Sequence, residues 1–478
     1  MTDQISETIK ADICVIGAGS GGLSVAAGAS QMGANVVLVE RGKMGGDCLN
    51  YGCVPSKALI AAAHAAHSAR NSGKFGVKST EPEVDFAAVR AHVRGVIAAI
   101  EPNDSVERFI GLGVRVIEAE GQFLSPSTLL AGDIRIEAKK FVVATGSSAM
   151  VPPIPGLDNT PYLTNETIFD LDKGPAHLIV IGGGPIGAEL AQAHRRLGAK
   201  VTMLEMFDFL GKDDAELTAV VRRQFDSENI DIRTGVKVVK TAKTPDGVEV
   251  TIEEEGAEQT VRGSHLLIAA GRQPNIDSLN LEAAKINHTP KGIEVDNRLR
   301  TSNRRIFAIG DVIGGLQFTH IAGYHAGIVI RNALFKLPAK VKYTAAPWVT
   351  YTDPELAHVG LSEDAARKAG VAGFNILRWP FHENDRAQAE RVVDGMIKVI
   401  VDRKGRVLGA TLAGPHAGEL LAPWIMAVDQ GQKIGTMAGL IFPYPTLSEV
   451  SKRAAGSYFT PKLFSDRIKG IVRFLQKF

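Results

Sequence analysis

The sequence predicts an α/β fold in which two similar parallel-sheet units are followed by an α+β domain. A short apolar strand, a glycine-rich turn, a helix and a second strand occur in that order near the N-terminus, and the same series returns 165 residues later. Each unit is followed along the chain by further buried strands that end in small residues. From about residue 346, strand-like and helical patterns alternate without another glycine-rich turn. These observations indicate two parallel sheets and a mixed last domain.

The composition excludes several classes of protein. A chain of 478 residues is long enough for two to four domains, and 45% hydrophobic with 22% charged residues is ordinary for a globular protein. The net charge of +2 provides no basic stripe for nucleic acid. Three cysteines do not make a secreted disulfide scaffold, residues 1–10 lack a signal-peptide pattern, and no apolar run reaches about 18 residues. We therefore expect a cytoplasmic protein without a transmembrane segment.

The first unit predicts a dinucleotide-binding site. An apolar strand over residues 12–16 leads into a GxGxxG turn, a helix over residues 23–33 and a strand over residues 35–40. The glycines of the turn and the acid that ends the second strand are Gly17, Gly19, Gly22 and Glu40. Glycines here allow backbone N–H groups to approach a pyrophosphate at the helix N-terminus, and the acid suits a ribose diol.

The second unit repeats the first at a fixed offset. Adding 165 to the glycines and the acid of the first unit, Gly33 included, gives Gly182, Gly184, Gly187, Gly198 and Glu205. Five matches at one offset indicate two related dinucleotide-binding units. An acid at the position of Glu205 pairs with a free 2′-hydroxyl, and residues 206–208 supply no Arg for a 2′-phosphate. The second unit therefore favours NADH over NADPH.

Local patterns predict the remaining elements. Between the units we expect helix over residues 86–113, short strands over 114–136, a buried strand over 141–146 and a linker at 152–156. After the second unit we expect strands with small or acidic endings over 266–272 and 305–311, and last-domain strands over 346–351, 395–401 and 407–413.

Two cysteines lie in a glycine-flanked stretch, residues 45–57, directly before an alanine-rich run, residues 58–66, that predicts a helix. Cys48 and Cys53 are five positions apart and lie at the N-terminus of this predicted helix. A helix N-terminus stabilises a thiolate. A zinc site would need about four ligands, and a disulfide that closes so short a loop would add little stability. The pattern favours a redox-active dithiol, whereas Cys14 on the first strand suits core packing.

Together these motifs resemble the flavin-dependent pyridine nucleotide–disulfide oxidoreductases, the family of dihydrolipoamide dehydrogenase, glutathione reductase and mercuric reductase. The resemblance extends over essentially the whole chain. It implies Rossmann-like FAD- and NAD-binding domains and a C-terminal α+β dimerisation domain. The implied boundaries are an FAD-binding domain at 1–150, an NAD(P)-binding domain at 151–275, a central domain that completes the FAD site at 276–345 and a dimerisation domain at 346–478.

The resemblance also implies roles for individual residues. Cys53 would be the thiolate that faces the flavin, Cys48 the thiol that exchanges with substrate, and Lys57 would pair with Glu189 near the flavin ring. One non-covalent FAD per subunit would be held by Gly17, Gly19, Gly22, Glu40, Lys57, Gly121, Thr145, Gly146, Gly310, Asp311 and Thr319. The nicotinamide dinucleotide would be held by Gly182, Gly184, Gly187, Glu189, Glu205, Val238 and Gly271.

The last domain departs from the disulfide-reducing members. In these enzymes a His-Pro-Thr-x-x-Glu segment reaches in from the partner subunit of a homodimer, with His as acid/base and Glu as its orienter. Here residues 442–449 are FPYPTLSE, with Tyr444 at the His position and Glu449 at the Glu position. With an ordinary pKa near 10, a tyrosine is a poor base for a thiol. Glu449 is then either an orienter or only structural.

The resemblance leaves three functions open. The first is a dihydrolipoamide dehydrogenase-like enzyme acting on a small disulfide or dithiol, with electrons passing between NADH, FAD and the Cys48/Cys53 pair. The second is a mercuric reductase-like or other electrophile or metal reductase; mercuric reductases have Tyr at this position but also a C-terminal Cys pair, which residues 473–478 do not contain. The remote third is a flavin-binding subunit without catalysis. We predict no resident metal site.

Some histidines and one loop are further candidates. His382 and His416 could replace the absent imidazole, although surface histidines are the commoner case. His320 would at most orient a neighbour beside the flavin. Residues 384–387 resemble a loop close to the substrate channel and are equally compatible with a solvated turn.

The last residues predict a basic amphipathic helix. One helical stripe contains Phe464, Ile468, Ile471, Leu475 and Phe478. The charged residues around it are Lys462, Asp466, Arg467, Lys469, Arg473 and Lys477. We expect the stripe to pack on the chain's own last domain or on a partner subunit, with an anionic membrane surface as the alternative.

Overall fold

Buried β-branched strands around a glycine-rich turn form the first sheet. The computed structural model describes residues 5–478. The first elements are β1 (Glu7–Ile16), α1 (Ser20–Gln31), β2 (Val36–Glu40), α2 (Gly46–Asn50), α3 (Cys53–Asn71), α4 (Phe86–Ile100), α5 (Val106–Gly111), β3 (Arg115–Glu118), β4 (Gly121–Ser125), β5 (Thr128–Ala131), β6 (Ile134–Val143) and β7 (Ser147–Ala149). β1 pairs in parallel with β2 and β6, which places Ile16 opposite both Val39 and Val143.

The second series of elements contains the repeated unit. Its members are β8 (His177–Ile181), α6 (Pro185–Arg196), β9 (Lys200–Glu205), α7 (Ala215–Ser227), β10 (Asp231–Thr234), β11 (Lys237–Thr244), β12 (Gly247–Glu254), β13 (Ala257–Gly263), β14 (His265–Ile268) and β15 (Arg272–Pro274). β8 pairs in parallel with β9 and β14, as β1 does with β2 and β6. The antiparallel β11–β12–β13 meander was not part of the sequence-based expectation.

The next segment returns to the first sheet. Its elements are β16 (His288–Thr289), β17 (Gly292–Ile293), β18 (Ile306–Ala308) and α8 (Thr319–Ala333). β18 pairs in parallel with β6, which places Ala308 opposite Val143. Leu279 and Ile293 pack into the same buried core as Cys14 of β1, so Cys14 is a core residue as expected.

An antiparallel sheet organises the last part of the chain. The elements are β19 (Pro347–Thr350), β20 (Glu355–Gly360), α9 (Glu363–Lys368), β21 (Asn375–Pro380), α10 (Asp385–Glu390), β22 (Met396–Val401), β23 (Val407–Gly414), α11 (Ala417–Leu420), α12 (Ala422–Asp429), α13 (Ile434–Gly439), α14 (Glu449–Ser457), α15 (Thr460–Leu463) and α16 (Asp466–Leu475). The strand order is β19–β20–β23–β22–β21. Trp424 of α12 and Val450 of α14 are fully buried in its core.

The chain packs as two compact units, which differ from the two repeated strand–turn–helix motifs. One unit comprises residues 5–182, 193–204 and 236–341, and the other comprises residues 183–192, 205–235 and 342–478. The first unit contains both clustered cysteines and all the residues predicted to hold FAD. Within residues 5–478, no helix combines the length and apolar character that crossing a bilayer requires. The domain boundaries implied by the resemblance stay a prediction.

Some element boundaries differ from the sequence-based expectation. The helix expected over residues 86–113 is interrupted after Ile100, because Pro102 enters a 3₁₀ turn and Ser105 caps a new helix by accepting the Arg108 N–H. β1 begins at Glu7 because residues 7–11 pair with the first half of β6. The cysteine stretch is not a turn throughout, since Cys48 lies on α2 and Cys53 is the first residue of α3.

Candidate active site

One edge of the first sheet gathers the residues predicted to hold FAD. Because β1, β2, β6 and β18 run parallel, their carboxyl ends meet at the same edge. Gly17 follows β1, Glu40 ends β2, Thr145 follows β6 and Gly310 follows β18. The Gly17 N–H donates to the Val39 carbonyl at 2.8 Å, which joins two of these ends directly. The parallel topology therefore assembles segments that are up to about 290 residues apart in sequence.

The first glycine-rich turn fits a pyrophosphate. Gly17 has φ +102°, and a Cβ there would lie 2.4 Å from the Ala144 carbonyl oxygen. A Cβ on Gly22 would lie 1.8 Å from the Gly17 carbonyl oxygen, so neither position accepts a side chain. A Cβ on Gly19, by contrast, would meet no atom within 4 Å. The outer two glycines are thus needed for packing, and the middle one leaves the space that a pyrophosphate requires at the start of α1.

Glu40 and Glu205 make the same pair of hydrogen bonds in the two repeated strand–turn–helix motifs. Glu40 accepts the Ala18 N–H at 2.5 Å and the Gly42 N–H at 2.7 Å. Glu205 accepts the Gly183 N–H at 2.5 Å and the Phe207 N–H at 2.8 Å. The donors are again 165 positions apart, so the repeat extends from sequence to hydrogen bonding. Both carboxylates lie beside their glycine-rich turns, where the predicted ribose contact would be made.

The second glycine-rich turn has the geometry of the first. Gly182 has φ +118°, and a Cβ there would lie 2.3 Å from the Ala269 carbonyl oxygen. A Cβ on Gly184 would meet no atom within 4 Å. The Ala269 N–H donates to the Ile181 carbonyl at 2.8 Å, as the Ala144 N–H does to Ile16. These residues fit a second dinucleotide.

The cysteine pair lies on two consecutive helices of the first unit, with Cys48 on the short helix α2 and Cys53 at the start of the long helix α3. Both residues are free thiols, with Cys48 half-buried and Cys53 exposed. Cys53 is the first residue of the 19-residue helix α3, where its thiolate benefits from unsatisfied N–H groups. Its Sγ lies 3.3 Å from the Thr319 Oγ1, and Thr319 is the first residue of α8. Two helix N-termini therefore converge on Cys53.

The surroundings shift the pKa values of the two thiols in opposite directions. A hydrogen bond from Cys48, together with the Thr319 hydroxyl and the Lys57 charge, lowers the pKa of Cys53 to about 6. The same bond to Cys53, burial and the nearby thiolate raise the pKa of Cys48. The proton of the reduced pair therefore resides on Cys48, and Cys53 is the thiolate at neutral pH. This charge distribution agrees with the roles that the resemblance implies.

Arg272 is a site residue to which the sequence analysis gave no role. Its Nε and Nη2 donate to the Ser147 hydroxyl and carbonyl, both at 2.7 Å. Its guanidinium also lies 3.2 Å from Asp47 Oδ1 and 3.8 Å from Asp311 Oδ2. The Ser147 hydroxyl in turn donates to Asp311 at 2.7 Å. Arg272 thereby balances the carboxylate next to Cys48 and the one predicted to bind the flavin side chain.

A buried histidine hydrogen-bonds to the backbone of the Gly310–Asp311 turn. His325 of α8 accepts the Gly310 N–H on Nδ1 at 3.1 Å, and burial lowers its pKa to about 4. Burial also raises the pKa of the Asp311 carboxyl. Asn275 supports the neighbouring turn, since its carbonyl accepts the Thr145 hydroxyl at 2.7 Å. No local sequence motif marks His325 or Asn275, because both act across long sequence separations.

The remaining predicted cofactor residues occupy varied positions. Gly121 begins β4, and a Cβ there would meet Leu129 at 3.2 Å. Gly271 has φ +134°, and its carbonyl accepts the Met150 N–H. Val238 lies on β11, and Glu189 is buried and accepts the Tyr351 N–H at 2.9 Å. All these residues, Gly146, Gly187 and the proposed Lys57–Glu189 pair stay predictions as parts of the cofactor sites.

Tyr444 lies in an acidic cluster of the second unit. Its side chain is 70% exposed, and its hydroxyl donates to Asp385 Oδ2 at 3.0 Å. That bond and the charges of Asp385 and Glu449 raise the pKa of Tyr444. Asn384 caps α10 and its amide donates to the Thr446 carbonyl at 3.0 Å. Residues 384–387 therefore form the capped start of α10, which is tied to the Tyr444 segment, and their place beside a substrate channel stays a prediction.

The two candidate replacement histidines stay predictions as acid/base groups. His382 and His416 are exposed residues of the second unit. His320 follows Thr319 directly and stacks on Phe318 with ring centroids 5.3 Å apart. Among residues 5–478, no group of three or more His, Cys, Asp or Glu side chains is arranged to hold a metal ion.

Comparison with known proteins decides the family. The family model of pyridine nucleotide-disulphide oxidoreductases matches residues 11–326, and its dimerisation domain matches residues 346–455. The chain belongs to this family. As a pyridine nucleotide-disulphide oxidoreductase it is a flavoprotein enzyme that uses FAD and NAD(P)H and carries a dimerisation domain. The predicted fold class and family are confirmed.

Relatives of this oxidoreductase have different named activities. A mercuric reductase from Streptomyces lividans and a dihydrolipoyl dehydrogenase from Geobacillus stearothermophilus are each 35% identical to it, over 94% of this chain and 96% of the relative. Among solved structures, the Cu(II) complex of the HOCl-induced flavoprotein disulfide reductase RclA from Escherichia coli is 29% identical, with a TM-score of 0.83 over 92% of this chain and 98% of that one. LpdA from Mycobacterium tuberculosis is 28% identical, with a TM-score of 0.85 over 93% and 99%.

Proposed function

We propose that the protein is an NADH-dependent reductase whose Cys48/Cys53 dithiol delivers two electrons to an acceptor that needs no imidazole acid/base, namely a soft metal ion or another small electrophile. The observation that carries this proposal is the state of Tyr444. Its hydroxyl donates to Asp385, and two neighbouring carboxylates raise its pKa, so it offers no base at neutral pH.

The cysteine pair has the chemistry that such an acceptor requires. FAD, when bound, supplies two-electron transfer between a nicotinamide and a thiol pair. Cys53 is the stable thiolate, and Cys48 loses its proton when an electrophile engages the pair. Thiolates are preferred ligands for soft metal ions. As the acceptor takes up two electrons, the two thiolates become a disulfide, and the proton that Cys48 lost is the only one released.

A dihydrolipoamide dehydrogenase-like activity is the second candidate, and the position of Glu449 favours it. Glu449 is the first residue of α14, is half-buried and acts electrostatically on Tyr444. An acid retained at this place could orient a proton-transfer group. The dihydrolipoyl dehydrogenase and mercuric reductase relatives are also equally similar to the chain.

The cofactor preference and the assembly belong to the same proposal. Glu205 with exposed Met206 and Phe207 after it supports NADH over NADPH, since no cation faces a 2′-phosphate from these positions. The dimerisation-domain match supports a homodimer in which Tyr444 and Glu449 complete the partner subunit's site. A monomer by light scattering that still reduces substrate would contradict this arrangement. A cytoplasmic location stays a prediction.

Tyr444→His provides the sharpest test of the proposed function. The FAD-loaded wild type should oxidise NADH anaerobically with a soft metal–thiol complex and only slowly with lipoamide. Tyr444→His should raise lipoamide turnover about tenfold or more, since a positioned general base contributes about 10²–10⁴. Tyr444→Phe is the matched control and should not raise it. NADH absorbance follows both reactions, and Cys48→Ser should abolish both.

Two outcomes would overturn the proposal. Rapid lipoamide turnover by the wild type that Tyr444→His leaves unchanged would assign the second candidate and require another acid/base. Flavin absorbance that anaerobic NADH fails to bleach in the absence of an acceptor would indicate a subunit without catalysis.

A further inference from the structure

The family match ends at residue 455, and two helices follow it. α15 and α16 cover most of the segment from residue 460 to residue 478, which we call the tail. α16 begins after Ser465 and continues for ten residues to Leu475. The functions assigned to the family domains therefore leave the tail unexplained.

The apolar face of the tail is exposed. Phe464 is 69% exposed, Leu475 is 61% exposed and Phe478 is 95% exposed, and α16 buries none of its residues. Helix α14, before the tail, does pack on the last domain, since its Val450 and Ala454 are fully buried. The stripe therefore does not pack on the chain's own last domain, and its expected packing on a partner subunit is not tested by a single chain. Aromatic and aliphatic side chains on one helical face in water favour an occupant that removes them from it.

Positive charge is concentrated in the same segment. The tail contains five basic residues and one acid, which are Lys462, Asp466, Arg467, Lys469, Arg473 and Lys477. Its net charge is +4, whereas the whole chain has +2, so the other residues sum to −2. The Asp466 Oδ1 lies 3.4 Å from the Lys469 Nζ, so the acid balances one of the five positive charges and four remain in excess. Lys469, Arg473 and Lys477 lie on the helical side opposite the apolar stripe.

We propose that the tail docks the enzyme on an anionic lipid bilayer, with the apolar stripe of α16 in the headgroup–acyl boundary and its cations attracted to the lipid phosphates. A helix with aromatic and aliphatic residues on one face and Lys/Arg on the other has the pattern of an interfacial helix. At 1.5 Å per residue α16 is about 15 Å long, half of a bilayer's hydrocarbon thickness of about 30 Å. It therefore lies in the plane of the surface and does not span it.

Vesicle flotation of the FAD-loaded full chain tests the proposal. Protein should float with vesicles of equal parts phosphatidylglycerol and phosphatidylcholine, and far less with phosphatidylcholine alone. About 1 M salt, where the Debye length is about 3 Å, should release most of it. The double variant Lys469→Glu with Arg473→Glu should lower the bound fraction at least tenfold, and so should Ile471→Asp with Leu475→Asp.

A charge-matched variant away from the tail is the control. Arg403→Glu with Lys404→Glu reverses one Arg and one Lys charge at exposed positions of the turn between β22 and β23 and should float like the wild type. NADH oxidation without vesicles should be the same in all these proteins, because the tail contains none of the site residues. This readout separates loss of docking from loss of the enzyme.

Three results would overturn the proposal. The first is no flotation of the wild type with the anionic vesicles. The second is flotation that neither salt nor the Glu variants reduce. The third is hydrogen-exchange protection of α16 in the vesicle-free protein that increases with protein concentration and is lost in Ile471→Asp with Leu475→Asp, which would show that a second copy of the chain covers the stripe.

Discussion

Three features around Cys53 favour its thiolate form: the N-terminus of α3, the Thr319 hydroxyl and the Lys57 charge. The sequence located Cys48, Cys53 and Lys57, because glycine spacing and an alanine-rich helix mark the stretch. It did not locate Arg272, whose partners at Ser147, Asp47 and Asp311 are far away in the chain. Contacts of that kind follow from strand pairing, here β15 with β7, and no local pattern encodes them.

Thr319→Val tests the thiolate at the residue scale. In the reduced protein before FAD loading, iodoacetamide should alkylate Cys53 with an apparent pKa of about 6. Burial raises the pKa of Cys14, and Cys53 raises that of Cys48, so neither should compete at neutral pH. Loss of the Thr319 hydroxyl should raise the midpoint by about 1 unit, the scale of one hydrogen bond to a charged group.

Thr319→Ser keeps the hydroxyl and is the matched control for that experiment. It should preserve the wild-type midpoint. An unchanged midpoint in Thr319→Val would mean that the hydroxyl does not stabilise the Cys53 thiolate.

At the scale of elements, two strand–turn–helix motifs form the predicted nucleotide sites. Their pattern was evident in the sequence because glycine spacing and strand composition are local properties. The structure adds the division of labour within each turn. Gly17 and Gly22 are required for close backbone approach, and Gly19 has φ −80° and open space beside it. The sequence alone does not distinguish the glycines needed for close backbone approach from the one that leaves open space.

Gly19→Ala and Gly22→Ala should therefore fail in different ways. Gly22→Ala places a Cβ 1.8 Å from a backbone oxygen and should destabilise the fold by about 3 kcal/mol, measured by urea unfolding. Gly19→Ala should fold with wild-type stability but bind FAD about tenfold more weakly, a loss of about 1.4 kcal/mol. Gly184→Ala is the counterpart control and should raise the KM for NADH with FAD binding unchanged.

The opposite pattern would contradict this division. If Gly19→Ala unfolds more readily than Gly22→Ala, the space beside Gly19 is not available for a ligand.

At the scale of the molecule, two buried histidines make stability depend on pH. Burial lowers the pKa of His194 and of His325 from 6.5 to about 4. Below pH 6.5 the unfolded chain therefore binds more protons than the folded one, and the free energy of unfolding falls as the pH is lowered towards 4. Each histidine contributes up to about 3 kcal/mol to this loss.

His325→Asn separates one of these contributions. Its amide oxygen can still accept the Gly310 N–H but does not titrate. The variant should lose less stability than the wild type between pH 7 and pH 5, measured by urea unfolding at each pH. Equal losses in the two proteins would show that His325 does not contribute to the pH dependence.

The sequence by itself determined the fold class, the family and the candidate nucleotide-binding and redox residues, because these depend on local spacing and on a repeat at one offset. It also exposed the substitution of Tyr444 for histidine. Only the tertiary structure showed why the proton favours Cys48 over Cys53, that Arg272 and His325 support the turns predicted to hold FAD, that Tyr444 is bound to Asp385, and that the tail's apolar stripe is exposed. These properties depend on burial and on contacts between distant segments, and burial and distance do not exist until the chain has folded.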